Sequence, residues 1–532
     1  MSALAQDAFD LLVVGGGITG AGIAREAALR GLRTALVERD DFAAGTSSRS
    51  SRLIHGGVRY LEHGHLGLVF EASRERRILL RTAPHLVRPL AFTWPVYRGA
   101  RVPRWKLEAG LALYDALALF RNVGNHRPLG RSGVLRREPA LRHDGLLGGS
   151  TYFDAATDDA RLTLANALGA RAAGAVVANH VEVRGTRFLT GGGAAVSVTD
   201  ALCGTTLEVL ARVVVNATGP WSDAVPELGL PGGHRVLGSK GAHVAVPAER
   251  LGNHGAVTML SPIDGRVMFV LPSGRFSIIG TTETPAERGP DDVRASGADV
   301  DYLLRSANGF FPNARLTRDD VIAAWAGIRP LAAARAGSGG ASSASREHVV
   351  ERDARGLVTV SGGKLTTYRA MAVDVVDAAA TLLGRARAHS RTATLPLPGG
   401  DVPGMAEVER EVARRVGDAA VAMRLARAYG GDWARVWLLT EREPALARPV
   451  VAGLPYVAAE LVHAVEHELA CTLADLLVRR MPVAFETRDA GRAAARAAAA
   501  VVAPRLGWNE AGIRQALDAY DREATRLFAV DA

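Results

Sequence analysis

The stretch Phe9-Asp10-Leu11-Leu12-Val13-Val14-Gly15-Gly16-Gly17-Ile18-Thr19-Gly20-Ala21-Gly22 decides the fold. An apolar strand, Leu11 to Val14, runs into Gly15-x-Gly17-x-x-Gly20, and an Ala-rich helix follows to Arg30. In such a unit the first glycine makes the tight turn and the second lets a pyrophosphate approach the backbone. The third lets helix and strand pack closely, so that the helix N-terminus aims its free N–H groups at the phosphates. A second strand, Arg33 to Val37, ends in Glu38. That carboxylate stands about 20 residues past the glycines, where a dinucleotide-binding βαβ unit needs an acceptor for ribose hydroxyls. An acid there favours a free 2′-hydroxyl, as in NAD or FAD, over NADP.

Working outward, the 532 residues suffice for more than one core, and length alone suggests about three domains. Hydrophobic content of 48% and charged content of 22% belong to an ordinary globular chain. Net charge is +9, almost all of it arginine, which suits an anionic substrate or an anionic membrane. No basic run with interleaved aromatics is present, so nucleic acid is not an expected partner. Cys203 and Cys471 are far apart and outside any C-x-x-C, which fits a reducing compartment and excludes a thiolate metal cluster. No metal site is expected. Met1 to Ala8 has no apolar run with a basic flank, so no cleavable targeting segment is expected. No uncharged apolar run of roughly 18 residues suggests a membrane span.

After Glu38 comes a hydroxyl-rich loop, Thr46-Ser47-Ser48-Arg49-Ser50-Ser51, then a charged helix from Glu71 to Arg81. A helix with acids in its first turn opens at Asp158. Strand Arg212 to Val215 runs into Asn216-Ala217-Thr218-Gly219-Pro220-Trp221, a second place for backbone to meet a dinucleotide. Gly241–Val246, Val267–Leu271 and Phe276–Thr282 read as an antiparallel platform, and Ala336–Ser345 as a flexible loop. Strand Leu357 to Val360 meets Ser361-Gly362-Gly363-Lys364-Leu365-Thr366-Thr367-Tyr368, which opens a long helix to about Leu383. Prolines and glycines from 390 to 405 mark a boundary, and the remainder is helical in pattern, including one run from Val457 to Arg480 and another from Arg488 to Val502.

This order resembles the FAD-dependent oxidoreductases of the glutathione-reductase-like type. At block level the chain is similar to FAD-dependent, quinone-linked glycerol-3-phosphate dehydrogenase. The blocks are Gly45 to Glu62, Asn216 to Trp221, Ile278-Ile279-Gly280-Thr281-Thr282, Gly327-Ile328-Arg329-Pro330-Leu331 and Gly362 to Tyr368. The fold implied is α/β, an FAD-binding Rossmann domain with an antiparallel β substrate cap, followed by an all-α domain. The FAD part is expected at roughly 1–95, 150–235 and 320–390, the cap at 96–149 and 236–319, and the helical domain at 405–532.

The resemblance implies oxidation of sn-glycerol 3-phosphate to dihydroxyacetone phosphate, with hydride passing to flavin N5 and electrons to a membrane quinone. It makes Arg59 and Arg329 the phosphate clamp, since a guanidinium fork matches a phosphate. Tyr60 and Thr281 are then neighbouring donors. Lys364 at a helix start favours the negative charge that builds on a reduced flavin. The proton acceptor stays open between His55 and His243. Cofactor contacts are expected from Gly15, Gly17, Gly20, Glu38, Thr46, Ser47, Ser48, Gly57, Thr218, Gly219, Gly363, Lys364, Leu365 and Thr366. A glycerol-phosphate oxidase using oxygen, an FAD oxidoreductase of amino or hydroxy acids, and a flavoprotein without turnover stay open beside this reading.

A quinone-linked enzyme without a span must dock on the bilayer. The segment from Arg98 to Arg121, with Trp105 and a mostly apolar helix, has the composition of a surface-lying helix. The expected location is cytoplasmic, attached peripherally to the inner face of the plasma membrane. A homodimer contact through the helical tail is compatible with the sequence, which carries no motif for it.

Overall fold

The structure is a computed structural model and describes residues 1–5, 8–225, 228, 236–286, 289–332 and 347–531, with the side chains of Arg59, His63, Val236, Leu237 and Ala332 also outside the description. The expected loop Ala336–Ser345 lies outside the described residues.

The opening motif forms as its residues dictate. Strand Phe9–Val14 is buried throughout and lies between parallel strands Thr34–Val37 and Thr206–Asn216. Strands buried on both faces read as continuous apolar runs, which explains Leu11-Leu12-Val13-Val14. Helix Ile18–Leu29 packs against helices Asp159–Ala172 and Tyr368–Leu382, and small residues make that possible. A Cβ on Gly22 would stand 2.8 Å from the Tyr368 ring. A Cβ on Gly20 would stand 1.8 Å from the carbonyl oxygen of Gly15, so the third glycine of the motif is a packing requirement.

Among the described residues eight strands make this first sheet; six run in the order Val349–Arg352, Leu357–Ser361, Thr206–Asn216, Phe9–Val14, Thr34–Val37, Val176–Ala178, and Ala194–Asp200 and Val181–Phe188 branch from Thr206–Asn216. Val14 is level with both Val37 and Asn216. The parallel strands therefore finish together, and their exits at Gly15, Glu38, Ala217 and Gly362 crowd one edge. Ligands bind such sheets in the crevice outside those carboxyl ends.

A second sheet, of ten strands among the described residues, is mostly antiparallel. Its longest pairings join Val87–Tyr97 to Leu146–Thr157 and Val236–Pro247 to Ala323–Ala332. Val87–Tyr97 and Ala323–Ala332 thus leave the cofactor part in which the sequence places most of their residues. Alternation identifies a strand but not the sheet it joins.

Beyond residue 404 the chain is helical, with its own core around Val412, Leu425, Trp433, Val436 and Val462. It is not a detached unit. Phe485 packs edge-on against Trp325 of the second sheet with ring centroids 5.1 Å apart, in a buried cluster shared by both. The expected helix Val457–Arg480 is in fact two pieces. Helix Ala458–His467 stops, Leu469 takes φ 61°, and a π-helical turn runs from Asp475 to Arg480.

Candidate active site

The four strand exits enclose a cleft of about 520 Å³. Gly15, Gly17, Glu38, Thr46, Ser47, Thr218, Gly219, Gly363, Lys364, Leu365 and Thr366 line it, so most of the expected cofactor set converges from distant stretches. Gly15 has φ 110°, and a Cβ there would lie 2.7 Å from the Ala217 carbonyl oxygen. A Cβ on Gly17 would meet only Ser47 Oγ, at 3.2 Å, and otherwise project into open space. That is the backbone a pyrophosphate can approach. The N–H of Ile18 donates to Ser47 Oγ at 2.9 Å, which seats the hydroxyl loop on the helix N-terminus.

Glu38 is half-buried at the rim of the glycine turn. Its carboxylate accepts from the N–H of Gly16 at 2.6 Å and of Asp40 at 2.9 Å. Burial pushes its pKa up to about 7, against the pull of those two backbone donors. The acid thus braces the glycine turn as well as facing the cleft.

Three of the expected contacts, Ser48, Gly20 and Gly57, are placed differently. Ser48 is buried and does not line the cleft, and Gly20 lies beneath it in the helix–strand contact. The Thr46 hydroxyl donates to the Ile328 carbonyl at 2.7 Å and so ties the loop to the strand that carries Arg329. A repeated hydroxyl pattern shows that a loop is polar, not which hydroxyl turns inward.

A smaller chamber of about 130 Å³ adjoins the cleft, walled by Phe92, Trp94, Tyr152 and Phe269. Ser51, Leu53, His55, Tyr60 and Arg329 line both spaces. Gly57, expected at the cofactor, lines the chamber instead; it has φ 79° and lies directly beside the Tyr60 ring. Tyr60 in turn carries the Lys364 ammonium 3.6 Å from its ring centroid, a cation–π contact that fixes the lysine at the start of the late helix. Thr366 Oγ1 accepts from the N–H of His55 at 3.1 Å and donates to its carbonyl at 3.2 Å, locking the histidine backbone to the same turn. The Arg59 side chain lies outside the described residues.

Arg329 Nη2 donates to Thr281 Oγ1 at 3.1 Å, and that hydroxyl donates onward to the Thr282 carbonyl at 3.0 Å. Thr281, expected as a neighbouring donor, here accepts from Arg329 and spends its own proton on the Thr282 carbonyl. The guanidinium fits because Gly241 has no side chain: a Cβ there would stand 2.6 Å from Arg329 Nη2. Gly280 does the same for His243, whose ring carbon would be 2.1 Å from a Cβ. A glycine inside a strand signals close approach of this kind, and at Gly241 and Gly280 the signal was not read from the sequence.

His243 is buried and stacks on Trp325 with centroids 5.5 Å apart. Its Nε2 is 2.8 Å from Ser51 Oγ. Burial, then the guanidinium groups of Arg329 and Arg52, push its pKa down to about 3. Ser51 is a site residue that sequence reasoning had left inside an undifferentiated run of hydroxyls.

A model of "FAD dependent oxidoreductase" matches residues 10–369, and one of the "C-terminal domain of alpha-glycerophosphate oxidase" matches 390–513. Glycerol-3-phosphate dehydrogenase 2 of Mycobacterium tuberculosis is 40% identical over 99% of this chain and 88% of its own. The chain belongs to the FAD-dependent glycerol-3-phosphate dehydrogenase family. A glycerol-3-phosphate dehydrogenase of Synechocystis is 37% identical over 94% of each chain. The solved structure of the Bacillus halodurans glycerol-3-phosphate dehydrogenase, complexed with FAD, superimposes with a TM-score of 0.79 at 32% identity, covering 99% of this chain and 96% of that one. The protein is thus an FAD-dependent enzyme of this family. The cleft fits that cofactor by its own features: the open face of Gly17, the acid at Glu38, and a lysine at a helix start.

Proposed function

We propose that the protein oxidises sn-glycerol 3-phosphate to dihydroxyacetone phosphate, docked at the inner face of the plasma membrane, with a bilayer quinone as final acceptor. The observation that carries the reading is the junction of cleft and chamber, where Arg329, Tyr60 and His55 serve both spaces and Lys364 lies against Tyr60. FAD, when bound, supplies the acceptor for the hydride at N5. The chain supplies the rest. Gly15–Gly17, Glu38, Thr218–Gly219 and Gly363–Thr366 would hold the cofactor. Arg329, with Arg59 as its proposed partner, binds the phosphate and so fixes the carbinol carbon, a positioning effect that accounts for a large share of such barriers. Lys364 favours negative charge where the late helix begins.

The hydroxyl proton goes to His55. His243 is the poorer acceptor, because a proton on it would add a third positive charge beside Arg329 and Arg52 in a buried site. Anaerobic glycerol 3-phosphate should bleach the flavin of the purified protein. His55→Asn should slow bleaching by roughly 10²–10⁴-fold, while His243→Asn slows it far less. A flavin-loaded wild-type protein that does not bleach would refute the reading.

The oxidase name on the family model for residues 390–513 favours one second reading, electron delivery to oxygen. Oxygen uptake outpacing quinone reduction would establish it.

For the membrane, the helix Arg104–Leu117 buries Leu107, Leu111 and Tyr114 and turns Trp105, 73% exposed, outward. Phe120, Leu119 and Phe70 are exposed as well, as are Arg98, Arg101, Arg104, Lys106 and Arg121 of the same segment. Exposed apolar residues accompanied by cations suit an anionic bilayer. No helix among the described residues is long and apolar enough to cross a membrane. A Trp105→Ser/Phe120→Ser variant should still bleach with substrate but bind anionic vesicles at least about tenfold more weakly. Unchanged flotation with vesicles would remove this segment from the interface.

A further inference from the structure

Asp41 follows the ribose-facing loop directly and is completely buried. Its carboxylate is held from the far end of the chain. Arg480 grips it with both terminal nitrogens, at 2.6 and 3.0 Å, and Arg479 Nε donates at 2.7 Å. Asn179 Nδ2 adds a fourth donor at 2.9 Å. Arg479 also bonds Asp475 at 2.8 Å, and Asp475 meets His180 Nε2 at 2.9 Å. The backbone that follows Asn179 closes the ring. The N–H of His180 donates to the Asp40 carbonyl at 2.6 Å, and the N–H of Val181 to the Glu38 carbonyl at 2.7 Å.

Asp41, His180 and Asp475 have the spacing of a metal site. Every carboxylate oxygen among them already accepts from N–H or O–H donors, so the arrangement is a hydrogen-bonded clamp. Two consecutive arginines of a π-helical turn converge on one loop of the other unit. π turns are rare, and this one lies where the expected single helix breaks.

We propose that the C-terminal helical unit braces the cofactor site from outside the cleft, and that Arg480 is a positioning residue for the loop that presents Glu38. This rests on the reading that FAD occupies the cleft. Glu38 reaches Gly16 on one side, while the next residues are fixed by Asp41 on the other. Docking of the helical unit and binding of FAD therefore stabilise each other, and such coupling is reciprocal.

The test uses the full chain stripped of flavin. Arg480→Met should raise the Kd for FAD at least about tenfold, Arg480→Lys less, because lysine keeps the charge but loses the fork. Asp41→Asn combined with Arg480→Met should be no worse than the poorer single variant. A variant that loses urea resistance yet binds FAD with the wild-type Kd would overturn the proposal. An independent arm avoids substitutions in the clamp. A protease site placed in the exposed segment 385–389 allows the chain to be nicked, and FAD should then slow release of the C-terminal fragment. Equal release with and without FAD would also overturn it. A protein that takes up no FAD at all would instead refute the cofactor reading, so the two failures are distinct.

Discussion

Gly17→Val is expected to give a folded protein that purifies without its yellow colour. The structural basis is asymmetric. A Cβ at this position touches nothing in the protein except Ser47 Oγ, at 3.2 Å, so the apoprotein accommodates the change with a small shift of one hydroxyl. The same Cβ, extended by two methyl groups, fills the space above the glycine turn where a pyrophosphate must reach the backbone. FAD affinity should fall at least about a hundredfold, roughly 2.7 kcal/mol, while the circular dichroism stays that of the wild-type apoprotein. Gly20→Val is the control with the opposite character. Its Cβ would lie 1.8 Å from the Gly15 carbonyl oxygen, so this variant should lose the fold and the flavin together. A Gly17→Val protein with a full complement of flavin would place the cofactor elsewhere.

These two glycines also show how much of the molecule was legible beforehand. A strand, a glycine turn and a helix are local, so their order in the sequence carries the local structure with it. The acid at Glu38 and the lysine at Lys364 were readable because each stands at a fixed offset from a strand end. What could not be read is what depends on partners far along the chain. The roles inside the hydroxyl loop are set by Ile18 and Ile328, which take Ser47 and Thr46 as partners. Thr281 became an acceptor because Arg329 stands two strands away, over a glycine. The break before Asp475 belongs to a clamp on Asp41, more than four hundred residues distant, and no helical periodicity encodes it. Hydrophobic pattern likewise joined the C-terminal helices to each other, whereas Phe485 and Trp325 join them to the second sheet.

Arg329→Met should lower the rate constant for flavin reduction per unit glycerol 3-phosphate by about 10²–10³-fold, the size expected for losing one preorganised charged donor. FAD affinity should change far less than the rate, because the glycine turn and Glu38 hold the cofactor from the first sheet while Arg329 meets the cleft only where it joins the chamber. Arg329→Lys should recover part of the loss, since it restores charge without the two parallel donors that match a phosphate. The substitution has a second signature that a merely structural arginine would not give. His243 is held down to about 3 by burial first and by Arg329 next. Removing the guanidinium lifts one of the two positive neighbours, so the His243 pKa must rise from that value, and an NMR titration of its ring should show the shift upward. If Arg329→Met kept wild-type kinetics, the residue would leave the substrate site. If kinetics fell while His243 titrated unchanged, the two groups would not share the electrostatic environment that their geometry describes.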